Sequence, residues 1–229
     1  MLDLPITQLD LAALLVFLVT TAGYGYISGL APLERRSISG AVQRHRERWM
    51  DNMAVRDTRI VDGQLLAGLA QGNAFFASTS AIIIGGLAAM LGSGDKVQSL
   101  LERLPWVAQS SAMLFEIKLL LLIVIFIFAF FKFAWAFRLS HYVAIMIGST
   151  PILDHANRSA CQQHARRTAR VIGLAAEHAN TGLRAYYYAI AAMAWFFHPV
   201  AFIAATLWVL AILVRREFFS RSRRVMSEI

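Results

Sequence analysis

Residues 114–137 constrain this chain more than any other feature: twenty-four residues, LFEIKLLLLIVIFIFAFFKFAWAF, with charges only at Glu116, Lys118 and Lys132. A helix rising about 1.5 Å per residue crosses a hydrocarbon layer of about 30 Å in roughly 20 residues, so a run of this length and polarity predicts a membrane-crossing helix. Lys118 and Lys132 are placed for their amines to snorkel toward opposite surfaces. Three further runs have comparable length: 11–30, 73–91 and 185–214. The last contains His198-Pro199 near its midpoint, where a helix should kink or break.

The composition agrees. With 58% hydrophobic residues and a mean hydropathy of +0.55 the chain is too apolar for a water-exposed fold of 229 residues. The expected class is all-α: one domain over 1–229, an integral membrane helical bundle of about four spans with amphipathic helices in its polar loops. Net charge is +8, and 20 of the 22 basic residues lie outside the apolar runs. That distribution favours anionic lipid headgroups as partners over nucleic acid. The lone Cys161 excludes an internal disulfide and a paired-cysteine metal knot. The N-terminus, MLDLPITQLD, lacks the positive region of a signal peptide, so the first apolar run is expected to stay as a helix.

Charge sets the expected orientation. Loop 31–72 holds seven arginines, loop 138–184 holds six, and the segment between the second and third runs holds only Lys96 and Arg103. The positive-inside rule then places both arginine-rich loops in the cytoplasm of a cell whose inner, or plasma, membrane carries the protein. Four crossings return the C-terminus outside, yet the tail from Arg215 carries five more arginines. The reading favours four crossings with an exceptional tail over a hairpin that re-enters at His198-Pro199. In the second loop, Asp154 is expected to cap a helix from His155 to about Ala179, with Gly182 a stopping point. Asp57 or Asp62 is expected to begin a helix leading into the second span.

Several phrases occur together: Arg48-Trp49-Met50; Phe130-Phe131-Lys132-Phe133 with Trp135 and Arg138; Gly148-Ser149-Thr150-Pro151; and Gly182-Leu183-Arg184-Ala185-Tyr186-Tyr187-Tyr188 with Trp195 and Pro199. In these the chain resembles the multi-pass membrane family known as domain of unknown function 599, found in bacteria and plants. The resemblance implies several membrane helices and no particular reaction.

Candidate contacts for an anion or lipid head are Arg138, Arg184, Tyr186, Tyr187, Trp49 and Arg59, because guanidinium forks grip carboxylate or phosphate and aromatic rings belong at the headgroup level. Glu116 and His198 are the intramembrane polar candidates. Ala77, Ala81, Gly85 and Ala89 fall on one helical stripe, where backbones can approach closely. There is no HExxH pattern, nucleotide loop or Gly-x-Ser-x-Gly elbow, so no catalytic, metal or cofactor residue is assigned. The expected role is an accessory, scaffold or homo-oligomeric protein, or one that binds another membrane protein. A small transporter with a discontinuous fourth helix, and an enzyme acting on lipid or an anionic substrate, are the alternatives.

Overall fold

A computed structural model describes residues 6–28, 33, 36–92, 111–152, 154 and 156–228. Among these there is no strand; the elements are α1 (Gln8–Ser28), α2 (Ile38–Ala54), α3 (Ile60–Gly92), α4 (Ala112–Gly148), α5 (Arg158–Met193), a 3-10 turn (Ala194–Phe196), α6 (Pro199–Phe218) and α7 (Arg221–Ser227). Four stretches, Gln8–Ser28, Ile60–Gly92, Ala112–Gly148 and Pro199–Ser227, are long and apolar enough to cross a membrane. The loop holding Lys96 and Arg103 lies outside the described residues, as does His155.

The central element is α4, started by Ser111, whose side chain accepts from the Leu114 N–H at 3.2 Å. Its 37 residues measure about 55 Å, well beyond the roughly 30 Å of a hydrocarbon layer. Helix α5 runs antiparallel to it. His164 Nε2 lies 2.8 Å from the Met146 carbonyl, Phe126 and Tyr186 meet edge to face at 5.2 Å, and Lys118 Nζ sits 5.7 Å over the Trp195 ring. Along α4 the partner numbers fall as those on α5 rise. Helix α3 is antiparallel to α4 as well, with Arg59 donating to the Thr150 carbonyl at 2.6 Å and Phe76 stacked on Phe133 at 5.0 Å. The three long helices therefore carry a packed region toward each end and a smaller one, Ala129, Phe133 and Ala185, between them. Met50, Met53, Leu66, Val143, Ala165, Ala169 and Ile172 form a core with α2 at one end, and Phe17, Leu122, Tyr188, Trp195, Phe202 and Leu213 form one with α1 and α6 at the other.

The polar segments expected as loops are thus largely continuations of the long helices. Residues 60–72 belong to α3, 138–148 to α4 and 158–184 to α5, because alanine, arginine and glutamine are good helix formers that need no apolar solvent. The expected helix end at Gly182 is not there. Gly182 has ordinary helical φ, and its missing side chain serves packing: a Cβ built on it would lie 2.7 Å from the Phe133 ring. Nor does Asp154 cap α5. Asn157 occupies that position without a side-chain capping bond.

The fourth apolar run is two arms rather than one span. Helix α5 ends at Met193, the 3-10 turn follows, and extended His198 opens α6 with its ring accepting from the Val200 N–H at 3.2 Å. Pro199 fills the first helical position, where a missing N–H costs nothing. Trp195 stacks on Phe202 at 5.2 Å across the bend, and Arg216 donates to the Tyr187 hydroxyl at 3.2 Å although the two are 29 residues apart. The second arm folds back along the first. Parallel to it lies α1, with Phe17 against Phe202 at 5.1 Å.

This hairpin removes the conflict raised by the tail. Buried Glu217 accepts from the Ser39 N–H and hydroxyl at 3.2 and 2.6 Å, and His45 Nε2 lies 3.3 Å from the Met226 carbonyl. The C-terminal arginines therefore sit beside α2 at the arginine-rich end of the bundle. The expectation that the tail emerges opposite the two arginine-rich segments gives way to the hairpin.

Candidate functional site

A groove of about 1060 Å³ opens along the side of the bundle, large for a ligand cavity. Its walls are α1, from Phe17 to Ser28, and α4, from Leu121 to Phe128. One face of α5 is the floor: Arg170, Gly173, Leu174, Glu177, Asn180, Thr181, Arg184 and Tyr188 recur at the three- and four-residue spacing that brings side chains into register. Ser39, Gln43, Arg46 and Glu47 on α2 close the far end, and Glu217 of α6 lies behind them.

Close approach of the Gln43 side chain to the α5 backbone shapes the end of the groove. At Gly173, a Cβ would stand 2.6 Å from Gln43 Oε1, and Gln43 Nε2 donates to the Ala169 carbonyl at 3.3 Å. Helix α2 is thereby pinned across α5, and its inner face becomes the end wall. The walls are held by other partners, α1 by α6 and α4 by α3 and α5.

The groove is polarised along its length. Leu18, Leu121, Val124, Ile125 and Phe128 line one part, and Leu18, Val124 and Phe128 stand exposed at its lip. Arg46, Arg170, Arg184, Gln43, Asn180 and Thr181 line the other. Arg184 marks the junction. Its Nη1 donates to Ser28 Oγ at 2.9 Å and its guanidinium lies 5.0 Å over the Tyr24 ring, so it is positioned before any ligand arrives. Arg46, half-buried on α2, donates a long 3.4 Å bond to Gln43 Oε1, and burial pushes its guanidinium below the ordinary arginine value.

Of the residues singled out in the sequence for anion or lipid contact, Arg184 lines this groove. The others lie elsewhere. Trp49 Nε1 donates to Asp62 Oδ1 at 2.7 Å, and Arg56 pairs with the same oxygen at 2.8 Å, a clamp between α2 and the start of α3. Arg59 ties that start to the Thr150 and Pro151 carbonyls. Arg138 lies over the Tyr142 ring, Tyr186 donates to the Phe76 carbonyl at 3.1 Å, and Tyr187 receives Arg216. Glu116 is exposed on α4, and His198 is a helix cap; neither faces the groove. In the small-residue stripe Ala77 is half-buried against the bundle, whereas Ala81 and Gly85 are exposed and a Cβ on Gly85 would meet nothing within 4 Å.

The sequence reading did not single out Gln43, Arg46, Arg170 or Glu177. The seven-residue spacing of Arg170, Glu177 and Arg184 was the available signal, since every second helical turn returns to nearly the same face. Lys118 also differs from expectation. At 2% exposure it lies beneath Trp195 and Phe196 rather than reaching for a surface, near Asp10, whose carboxylate accepts from Trp195 Nε1 at 2.8 Å and from Thr7.

The molecule is therefore an all-α bundle with four membrane-length apolar helices and a lateral amphipathic groove. Residues 12–222 match the family model described as "Protein of unknown function, DUF599", and the chain belongs to that family. Comparison with curated proteins and with solved structures gives no match.

Proposed function

We propose that this protein binds a membrane amphiphile with a phosphate-bearing head in its lateral groove, the phosphate on Arg184 at the edge of the polar part that Arg46 and Arg170 line, and the chain along Leu18, Leu121, Val124 and Phe128. The single observation that carries this reading is the groove's division into an apolar part open at the side and an arginine-bearing part at the end. A small soluble solute needs no apolar wall open to the side, whereas a lipid needs that wall and a polar seat for its head. Guanidinium groups suit the phosphate because their planar forks donate two parallel bonds.

Native mass spectrometry of the detergent-purified protein with added phospholipid tests it. The wild-type protein is expected to retain one lipid, and Thr181→Trp, which places an indole on the groove floor, to lose it while keeping its melting temperature. A lipid adduct unchanged in Thr181→Trp rejects the groove as its seat.

The arginine-rich end belongs on the cytoplasmic side of the inner, or plasma, membrane in this reading. Among the described residues the hairpin gathers the arginines of the two polar segments and the tail toward one end, as the positive-inside rule favours. With Cys161 replaced by alanine, single cysteines at Thr58 and Ser222 are both expected to resist an impermeant maleimide in intact cells and to react after permeabilisation. Labelling of either one in intact cells overturns this orientation.

The outward stripe on α3 supports a second reading, association with another copy through Ala81 and Gly85. Close approach of small residues is a common basis for helix pairing in lipid. Gly85→Leu is then expected to shift the protein to a smaller species in native electrophoresis, and an unchanged species removes this reading.

A further inference from the structure

We propose that the lipid taken by the groove is zwitterionic, with a phosphate joined to a primary ammonium group; this rests on the amphiphile-binding reading above. Three arginines, Arg46, Arg170 and Arg184, and three glutamates, Glu47, Glu177 and Glu217, line the same cavity. Among the described residues the ion pair within 4 Å is Arg56–Asp62, away from the groove, so none of these six charges pairs with another. Opposite charges on one concave, partly desolvated surface attract strongly. Here the helices keep them apart. Arg170, Glu177 and Arg184 follow one another on α5 at two-turn intervals of about 10 Å, a positive–negative–positive row along the floor.

Not all six are equally available. Glu217 is committed to α2 through Ser39, and Arg184 is steadied by Ser28 and Tyr24. Glu47, Glu177 and Arg170 are exposed. A phosphate seated at Arg184 has the Glu177 carboxylate two turns away on the same helix face, with Arg170 two turns beyond it. For a purely anionic head that carboxylate is repulsive; for a head that also carries an ammonium group it is the counter-charge. The primary amine fits better than a quaternary one. It has three N–H donors for Glu177, Glu47 and the Gln43 and Asn180 amide oxygens, whereas a quaternary group has none and relies on open aromatic faces. The Tyr24 face is already taken by Arg184.

The test compares phosphatidylethanolamine, phosphatidylglycerol and phosphatidylcholine of identical acyl chains, added to delipidated full-length protein and read by native mass spectrometry. The expected result is a preference of about tenfold for phosphatidylethanolamine over both others, removed by the double change Glu47→Gln and Glu177→Gln with phosphatidylglycerol binding retained. Both glutamates are exposed, so their amides leave the packing intact, as an unchanged melting temperature checks. Equal or tighter binding of phosphatidylglycerol by the wild-type protein overturns the zwitterion, and equal or tighter binding of phosphatidylcholine overturns the primary ammonium; either, still lost in Thr181→Trp, keeps the groove. A preference that survives the double change also overturns it. Adducts indifferent to Thr181→Trp overturn the groove itself.

Discussion

Replacing Arg184 with alanine is expected to weaken lipid retention by about 10- to 100-fold, since a charge-assisted hydrogen bond contributes about 1.5–3 kcal/mol. The size follows from how the side chain is held. Ser28 fixes one terminal nitrogen at 2.9 Å and Tyr24 supports the guanidinium plane at 5.0 Å, so little conformational freedom remains to be lost on binding. Arg184→Lys keeps the charge and loses the fork, and it should recover only part of the affinity. The measurement is a phospholipid titration by native mass spectrometry. An Arg184→Ala protein that holds lipid as tightly as wild type removes this residue from the headgroup seat.

The second large effect concerns the fold. Gly182→Ala is expected to lower stability by about 1–3 kcal/mol, read as a fall in melting temperature in detergent. Its new Cβ would stand 2.7 Å from the Phe133 ring, and that ring has no room to retreat: it is 1% exposed, stacked on Phe76 and edge-on to Tyr186. The clash makes a further demand. Phe133→Leu in the same chain should restore part of the loss, giving a favourable coupling in a double-mutant cycle. If the two changes simply add, steric conflict at this crossing is not the cause.

Gly182 also shows where the sequence was readable and where it was not. Its place in the Gly182-Leu183-Arg184-Ala185-Tyr186-Tyr187-Tyr188 phrase was conspicuous, but the residue type suggested a helix stop, which local propensity cannot distinguish from a close helix crossing. The apolar runs were legible because length and hydropathy alone decide whether a helix suits lipid. All-α architecture and the break at His198-Pro199 followed from them. The direction taken after the break did not, because it depends on contacts such as Arg216 with Tyr187 between residues far apart in the chain. The groove was legible only through Arg184. Its other polar residues come largely from α2 and from the middle of α5, whose arginines and glutamates read in one dimension as solvated helix faces. The packing of α2 on α5, through Gly173 and the core of Met50, Met53, Ala165 and Ala169, turns those faces toward each other.

The bent pair α5–α6 has a consequence for how the chain is made. The second half of α5, with Asn180, Thr181 and Arg184, is not among the stretches apolar enough to leave water unaided, and Arg216, which donates to its Tyr187, is encoded after it. A nascent chain that has reached only Phe197 thus holds an arm it cannot yet bury. Entry of that arm has to wait for roughly another twenty residues to leave the ribosome, so that both go in together as one unit.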